Sequence, residues 1–265
     1  VMLGVSLFAG LKATTPAMIA TENAYLAEQN FFDFKLLSTI GFTEDNVKEL
    51  EAFEQIDRVE GTISVDALCA FGEGNESAYR IHAMPETINR IVLTAGRMPE
   101  SADECVLDDA LYGEDIIGSR ITVTENNSED TLEMFRNRTF TGVGVARSPY
   151  YINSERGTTA IGSGRLAAFL YVQWDAFDCD YLTDIYVTLK QKYDVYTEEY
   201  QDYIDSLQDE MEELTGTIVQ TRYDELIAEA QEKIDDAQTE LDDKKAEAEE
   251  ELNDALTKIQ DGEQE

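Results

Sequence analysis

From Tyr223 the chain carries neither glycine nor proline until Gly262. A tract of that length without a breaker is either one long helix or no structure, and its apolar spacing decides for the helix. Ile227, Ala230, Ile234, Ala237 and Leu241 alternate steps of three and four, the seam of a coiled coil. Ala248, Leu252, Ala255 and Ile259 continue the seam. The step of eleven from Leu241 to Leu252 fits a stutter that locally unwinds the supercoil, with the aliphatic stem of Lys244 or Lys245 covering the gap. Many seam residues are alanine, and from Glu198 onward acidic residues outnumber basic ones several-fold. Flanking ion pairs are therefore few. A helix of this kind needs a partner, and a returning helix beyond Glu265 is expected to supply it. Residues 222–265 thus read as an acidic, truncated coiled-coil helix.

Upstream the texture is mixed. Pro16 can open a helix behind Thr15 as cap, with Met18, Tyr25, Leu26 and Phe31 near helical spacing. Asp33 to Thr39 reads as a strand that Gly41 ends. Thr43 caps a second helix carrying Val47, Leu50 and Phe53. Val59 to Ala67 alternates as one strand, and Ala78 to Ala83 as another. From Ile91 to Gly164 the signals are mostly β: Glu104 to Asp108, Gly118 to Thr124 and Phe135 to Val145, with Gly96 to Pro99 as a turn. Leu166 to Val172 and Asp184 to Leu189 are apolar strands around a short helix at Trp174 to Phe177. Val195 to Leu207 is amphipathic, and Gly216 to Val219 reads as a final strand.

Val1 to Leu11 is apolar and uncharged, and Lys12 follows. A bilayer needs about 20 such residues. The run lacks the basic start and small-residue cleavage site of a signal peptide. Residues 1–13 therefore read as the end of a truncated transmembrane helix.

The formal net charge of -36 over 265 residues excludes nucleic acid and anionic lipid surfaces as partners, since both would be repelled. Cys69, Cys105 and Cys179 form no C-x-x-C pair, so zinc and thioredoxin chemistry have no support. Cys105 reads as a buried small apolar residue, while one disulfide, most easily through Cys69, stays open in an oxidising compartment. His82, the only histidine, has no Cys or imidazole neighbour for zinc and no partner for general-base work. Walker A, G-x-S-x-G and H-E-x-x-H motifs are absent from the sequence. The Gly142-Val143-Gly144 cluster lies inside a strand, so it is no phosphate loop. Asp235-Asp236 and Asp242-Asp243 lie on a helix, where neighbours point apart and form no calcium loop. The expectation is a chain with no catalytic residue, no cofactor and no metal.

Several segments taken together resemble a family. Leu3 to Met18 resembles the end of the first transmembrane helix of FtsX-like ABC transporter permeases, and Leu37 to Thr43 resembles the strand and helix that follow. Leu93-Thr94-Ala95-Gly96-Arg97-Met98-Pro99 with Glu104-Cys105-Val106-Leu107-Asp108 is similar to the G-R-x-P … E-x-x-L signature of the MacB-type periplasmic core domain. Ile117 to Ile121 and Phe140 to Gly144 match the next strands.

The resemblance implies an α+β, two-lobed core ectodomain over residues 14–221: a porter-like lobe with a β-rich lobe inserted at about 91–164. The long coiled-coil helix follows it. The resemblance also implies a cell-membrane protein with this portion outside, a permease dimer, and a cytoplasmic ABC ATPase whose hydrolysis is coupled to export or to mechanotransmission. The alternative from another class is a membrane-anchored adhesion or signalling module on a coiled-coil stalk.

Overall fold

The computed structural model describes residues 16–72, 74–153 and 155–262, with the side chains of 254 and 256–262 left undescribed. The expected membrane-helix end at 1–13, the Thr15 cap and the Ile259 side chain lie outside the described residues. No described helix is long and apolar enough to cross a membrane. The chain divides into two compact units, 1–215 and 216–265.

The first unit is α+β and holds two sheets. Helix α1 spans 16–28. Strand β1, Phe34–Phe42, follows, then α2, Glu44–Glu51, and β2, Ile56–Thr62. Strand β10, Leu182–Leu189, comes back much later and inserts between β1 and β2, antiparallel to both. Gly41 does not end β1. At φ +77° it lets the strand shift register between Leu37 and Phe42 and continue. Thr43 then caps α2 reciprocally with Asn46, as the sequence indicates.

Everything between β2 and β10 is a second sheet. Its strands are β3, Ser64–Phe71; β4, Ser77–Ala83; β5, Val92–Gly96; and β6, Glu104–Asp108. After β7, Arg120–Val123, and a short helix α3, Glu129–Glu133, come β8, Thr139–Arg147, and β9, Leu166–Val172. The order is β5-β8-β6-β9-β4-β3-β7, and β7 also pairs with β8. Six strands therefore close into a barrel. β7 takes β8 at residues 139–141 and β5 takes the same edge further on, at 144–147. Closure pairs β7 on both sides and leaves β5, bonded to β8, as the edge strand.

Alternation fills the barrel. Val65, Ala67 and Cys69 on β3, Tyr79 and Ile81 on β4, Cys105 and Leu107 on β6, and Ala168, Leu170 and Val172 on β9 belong to one buried cluster. The six named on β6, β9 and Ile81 are each 0 % exposed. The intervening residues Val106, Phe169 and Tyr171 face out of the barrel, into a second cluster with Ile91, Ala146 and Tyr151.

The inserted lobe thus runs from Ser64 to Val172, wider than the 91–164 read from the sequence. What alternates as one strand from Val59 to Ala67 is two strands, divided at Ile63 where the chain passes from the first sheet into the barrel. An alternating pattern registers a buried face but not a change of sheet. Gly216 to Val219 is not a strand: it lies inside α4, Glu198–Gly262, a single 65-residue helix. Three β-branched residues in a short window do not outweigh the helix formers that surround them. The helix also begins at Glu198 rather than at Val195, and Phe135 only makes an isolated bridge to Phe177 ahead of β8.

The second unit is the rest of α4. Ile227, Ile234, Leu241 and Leu252 are 48–62 % exposed, and Ala230, Ala237, Ala248 and Ala255 are exposed too. They share a helix, with no packed face among the described residues. Gln220, Gln231 and Gln238 donate to Asp224, Asp235 and Asp242 four residues on.

Candidate functional site: the joint between α1, the first sheet and the barrel

The segment after α1 is stitched to the loop between β4 and β5. Asn89 N–H donates to the Asn30 carbonyl at 3.1 Å and Arg90 N–H to the Gln29 carbonyl at 3.0 Å. Asn30 Nδ2 donates to the Thr87 carbonyl at 2.8 Å, and Phe32 N–H to Asn89 Oδ1 at 3.3 Å. Among the described non-glycine residues, Asn30 (φ +54°) and Asn89 (φ +56°) are the ones in the left-handed region, and they face each other here. Asparagine tolerates that conformation better than other side chains, yet it still has a cost, and such residues gather at functional sites. Asn89 is buried, and its Nδ2 has no hydrogen-bond partner.

Glu60 closes the clasp from the first sheet. Its carboxylate accepts from the backbone N–H groups of Glu86, Thr87 and Ile88 at 2.7–2.9 Å and from Thr87 Oγ1 at 2.8 Å. Three successive amides wrapped on one carboxylate form an anion nest. One loop therefore holds the end of α1 and β2 together.

The second contact is aromatic and ionic. Lys35 on β1 pairs with Asp184 on β10 at 3.3 Å and donates to Tyr150 Oη at 2.9 Å. Tyr150 and Tyr151 form a 3-10 turn, Pro149–Tyr151, between β8 and β9. On the outer face of β4, His82 lies between Ser64 Oγ (2.9 Å to Nδ1) and Tyr151 Oη (2.7 Å to Nε2) and stacks on Tyr171 at 4.9 Å. Both ring nitrogens meet hydroxyl partners, and neither partner brings a negative charge that would favour the imidazolium. Burial first, then the charges of Arg80 and Lys35, hold it well below its ordinary value. Burial raises the Asp184 carboxyl, with Lys35 pulling it back down. The sequence reading places His82 as an ordinary partly buried strand residue; it is more buried than that, and it is bonded on both sides.

The G-R-x-P … E segment forms a corner of the barrel. Gly96, at φ +76°, crosses Gly144 so closely that a Cβ on Gly144 would lie 2.5 Å from the Arg97 carbonyl oxygen. Arg97 pairs with Glu104, which also accepts from Glu100 N–H at 2.8 Å. The Arg97 hydrogen bond and then those amides hold the Glu104 carboxyl down at about 2. The signature residues thus build a turn and no reactive centre.

Among the described residues, no three His, Cys, Asp or Glu converge as a metal site. Cys69 and Cys105 are buried free thiols that burial pushes up, Cys69 to about 12. The expected seam residues lie in the other unit and are not part of this joint. The clasp carries little sequence signal beyond asparagine at two loop positions.

No protein-family model matches the chain, and no curated protein matches it. Among solved structures, it is similar to the extracellular domain of the noncanonic ABC-type transporter YknZ from Gram-positive bacteria, at 9 % identity and TM-score 0.38, covering 65 % of this chain and 87 % of that one. The periplasmic region of MacB from Actinobacillus actinomycetemcomitans gives 12 % identity and TM-score 0.36, with 68 % and 76 % covered. A domain of a Porphyromonas gingivalis protein described as a permease gives 15 % and 0.36, with 68 % and 78 % covered. At these scores the likeness transfers no function.

Proposed function

We propose that this chain is the extracytoplasmic domain of a MacB/FtsX-type ABC transporter permease, with no catalytic role of its own. It hands motion between a membrane helix and the outside. The observation that carries the reading is the clasp. The end of α1 is bonded by backbone hydrogen bonds to the loop 86–90, and the same loop grips Glu60 of the first sheet. A displacement of α1 reaches both sheets through rigid, short-range bonds. The order of segments that resembles the family, from Leu37 through Gly96 to Gly144, supports the same reading. On it, a cytoplasmic ABC ATPase drives the motion, two permease copies work together, and the run before α1 anchors the domain in the cell membrane.

The test uses the intact permease with its ATPase in membrane vesicles. A spin label on the barrel's β7 in each of two permease copies should report a distance between the copies that changes with ATP. Glu60→Ala should shrink that change while hydrolysis continues. A chain that co-purifies with no ATPase, or a label distance indifferent to ATP, overturns the proposal and favours the surface-module alternative.

A further inference from the structure

A cavity of about 330 Å³ opens beside the joint, between α1 and the barrel's outer face. That is the lower end of the range for small-molecule sites, roughly 300–1,000 Å³. Its floor is apolar: Tyr151 and Phe169 stack at 4.7 Å, and both are buried. One wall is chemically closed. Arg156 forks onto Asp108, Asp108 also accepts from Ala110 N–H, and the pair is 7 % and 1 % exposed. The other wall is open. Arg147 spends Nε on Asp109 Oδ2 at 2.7 Å, and its two terminal nitrogens have no hydrogen-bond partner among the described residues. Asp109 Oδ1 likewise accepts from none of them. Tyr25 Oη, on α1, is buried and without a partner. A buried polar atom without a bond costs about 1–3 kcal/mol, so an orphan hydroxyl in a lined cavity asks for an occupant.

We infer that this cavity binds a small zwitterion, an α-ammonium carboxylate with an apolar side chain. Its carboxylate meets the free end of the Arg147 guanidinium and the Tyr25 hydroxyl, and its ammonium meets Asp109. A planar guanidinium takes a carboxylate through two parallel N–H groups. A plain anion does not suit the site, because Asp109 stands beside Arg147 and the chain's net charge of -36 repels it. A plain cation meets Arg147. The group carrying both charges satisfies both, and its side chain covers the Tyr151–Phe169 floor. Tyr25 belongs to α1 while the charged wall belongs to the ends of β6 and β8, so an occupant bridges the two. This inference stands on the cavity alone and does not need the transport reading.

The test is an NMR titration of the full chain with L-leucine, followed at the backbone amides of 108–110 and 147–148. 4-Methylpentanoate, which lacks the ammonium, and isoamylamine, which lacks the carboxylate, are the two half-ligands. Leucine should give saturable shifts, and each half-ligand should bind at least about tenfold more weakly, the loss of one charged hydrogen bond. Arg147→Gln and Asp109→Asn should each weaken leucine about tenfold, and Tyr25→Phe less. Unchanged urea midpoints show that these variants fold. Glycyl-leucine distinguishes the source: tighter binding than leucine means a peptide, weaker binding a free amino acid. No saturation by leucine or glycyl-leucine, half-ligands binding as well as leucine, or full affinity in Arg147→Gln overturns the inference.

Discussion

The barrel and the distal helix use their apolar residues in opposite ways. In the barrel, residues far apart in sequence, such as Ala67, Leu107 and Leu170, meet in one buried cluster. Between Tyr223 and Gly262, Ile227, Ile234 and Leu241 lie in water, and the bonds that hold the helix reach only four residues, from Gln231 to Asp235 and Gln238 to Asp242. One region carries its own partner within the chain. The other carries an apolar pattern that meets no packed partner among the described residues. Local pairs of this kind contribute about 0.2–0.5 kcal/mol each, against about 1.5–3 kcal/mol for one fully buried large apolar side chain.

Equal deletions in the two regions should therefore have unequal effects. Phe140, 0 % exposed, should cost about 3–5 kcal/mol when changed to Ala. Ile234→Ala should leave the urea midpoint of the first unit within about 0.5 kcal/mol. A comparable loss from both would break the contrast. Ion pairs sharpen it. Arg156→Ala leaves the buried Asp108 carboxylate uncompensated and should cost about 3–5 kcal/mol. Lys244→Ala removes an exposed pair with Glu240, which is worth about 0.3–0.5 kcal/mol.

The effect of pH should separate the regions again. His82 is the only histidine, held neutral in the fold well below its ordinary 6.5. Unfolding therefore takes up a proton below about pH 6.5. Stability is complete above that value and falls by up to about 1.4 kcal/mol per pH unit beneath it. Asp184, raised by burial above its ordinary 3.8, has the opposite sign: it contributes stability as pH falls. Denaturant midpoints from pH 7.5 to 5.5 should fall for the native chain, and the slope should vanish in His82→Gln. The distal helix should respond the other way. It has fifteen acidic against four basic residues from Tyr223 to Gly262. Acidification, or salt that shortens the screening length from about 30 to about 3 Å, relieves this repulsion. A peptide of that span should gain helical ellipticity in either condition, by the small increments of like-charge pairs. A lone peptide already fully helical in low salt would mean that local bonds suffice and no partner is needed.

How much of this was legible depended on the range of the physics. The unbroken helix after Tyr223, the Thr43 cap and the strands β6 and β9 follow from local sequence signals, and they lie where the sequence places them. The passage between sheets at Ile63 was not legible, because β2 and β3 are both half-buried strands and alternate alike. The closing pair of β7 with β8 is a long-range choice that period two does not encode. The two halves of the clasp lie 57 residues apart, joining Asn30 to Thr87. Glu60 among so many acids carried no mark of its own. Gly96 and Arg97 belong to the segment that resembles the family, and the structure supplies their reason: a backbone crossing at Gly144 and an ion pair with Glu104.

The central claim is that α1, the first sheet and the barrel are joined by a rigid clasp, while the distal helix lacks tertiary support. Hydrogen exchange on the full chain tests it directly, comparing the amides of Ile88, Asn89 and Arg90 with those of β9 and of residues 236–250. The account predicts that the clasp amides open with the same free energy as β9 and that residues 236–250 exchange far faster. In Glu60→Ala the clasp amides should lose protection while β9 keeps it. Clasp amides exchanging as fast as residues 236–250 in the native chain would contradict the account.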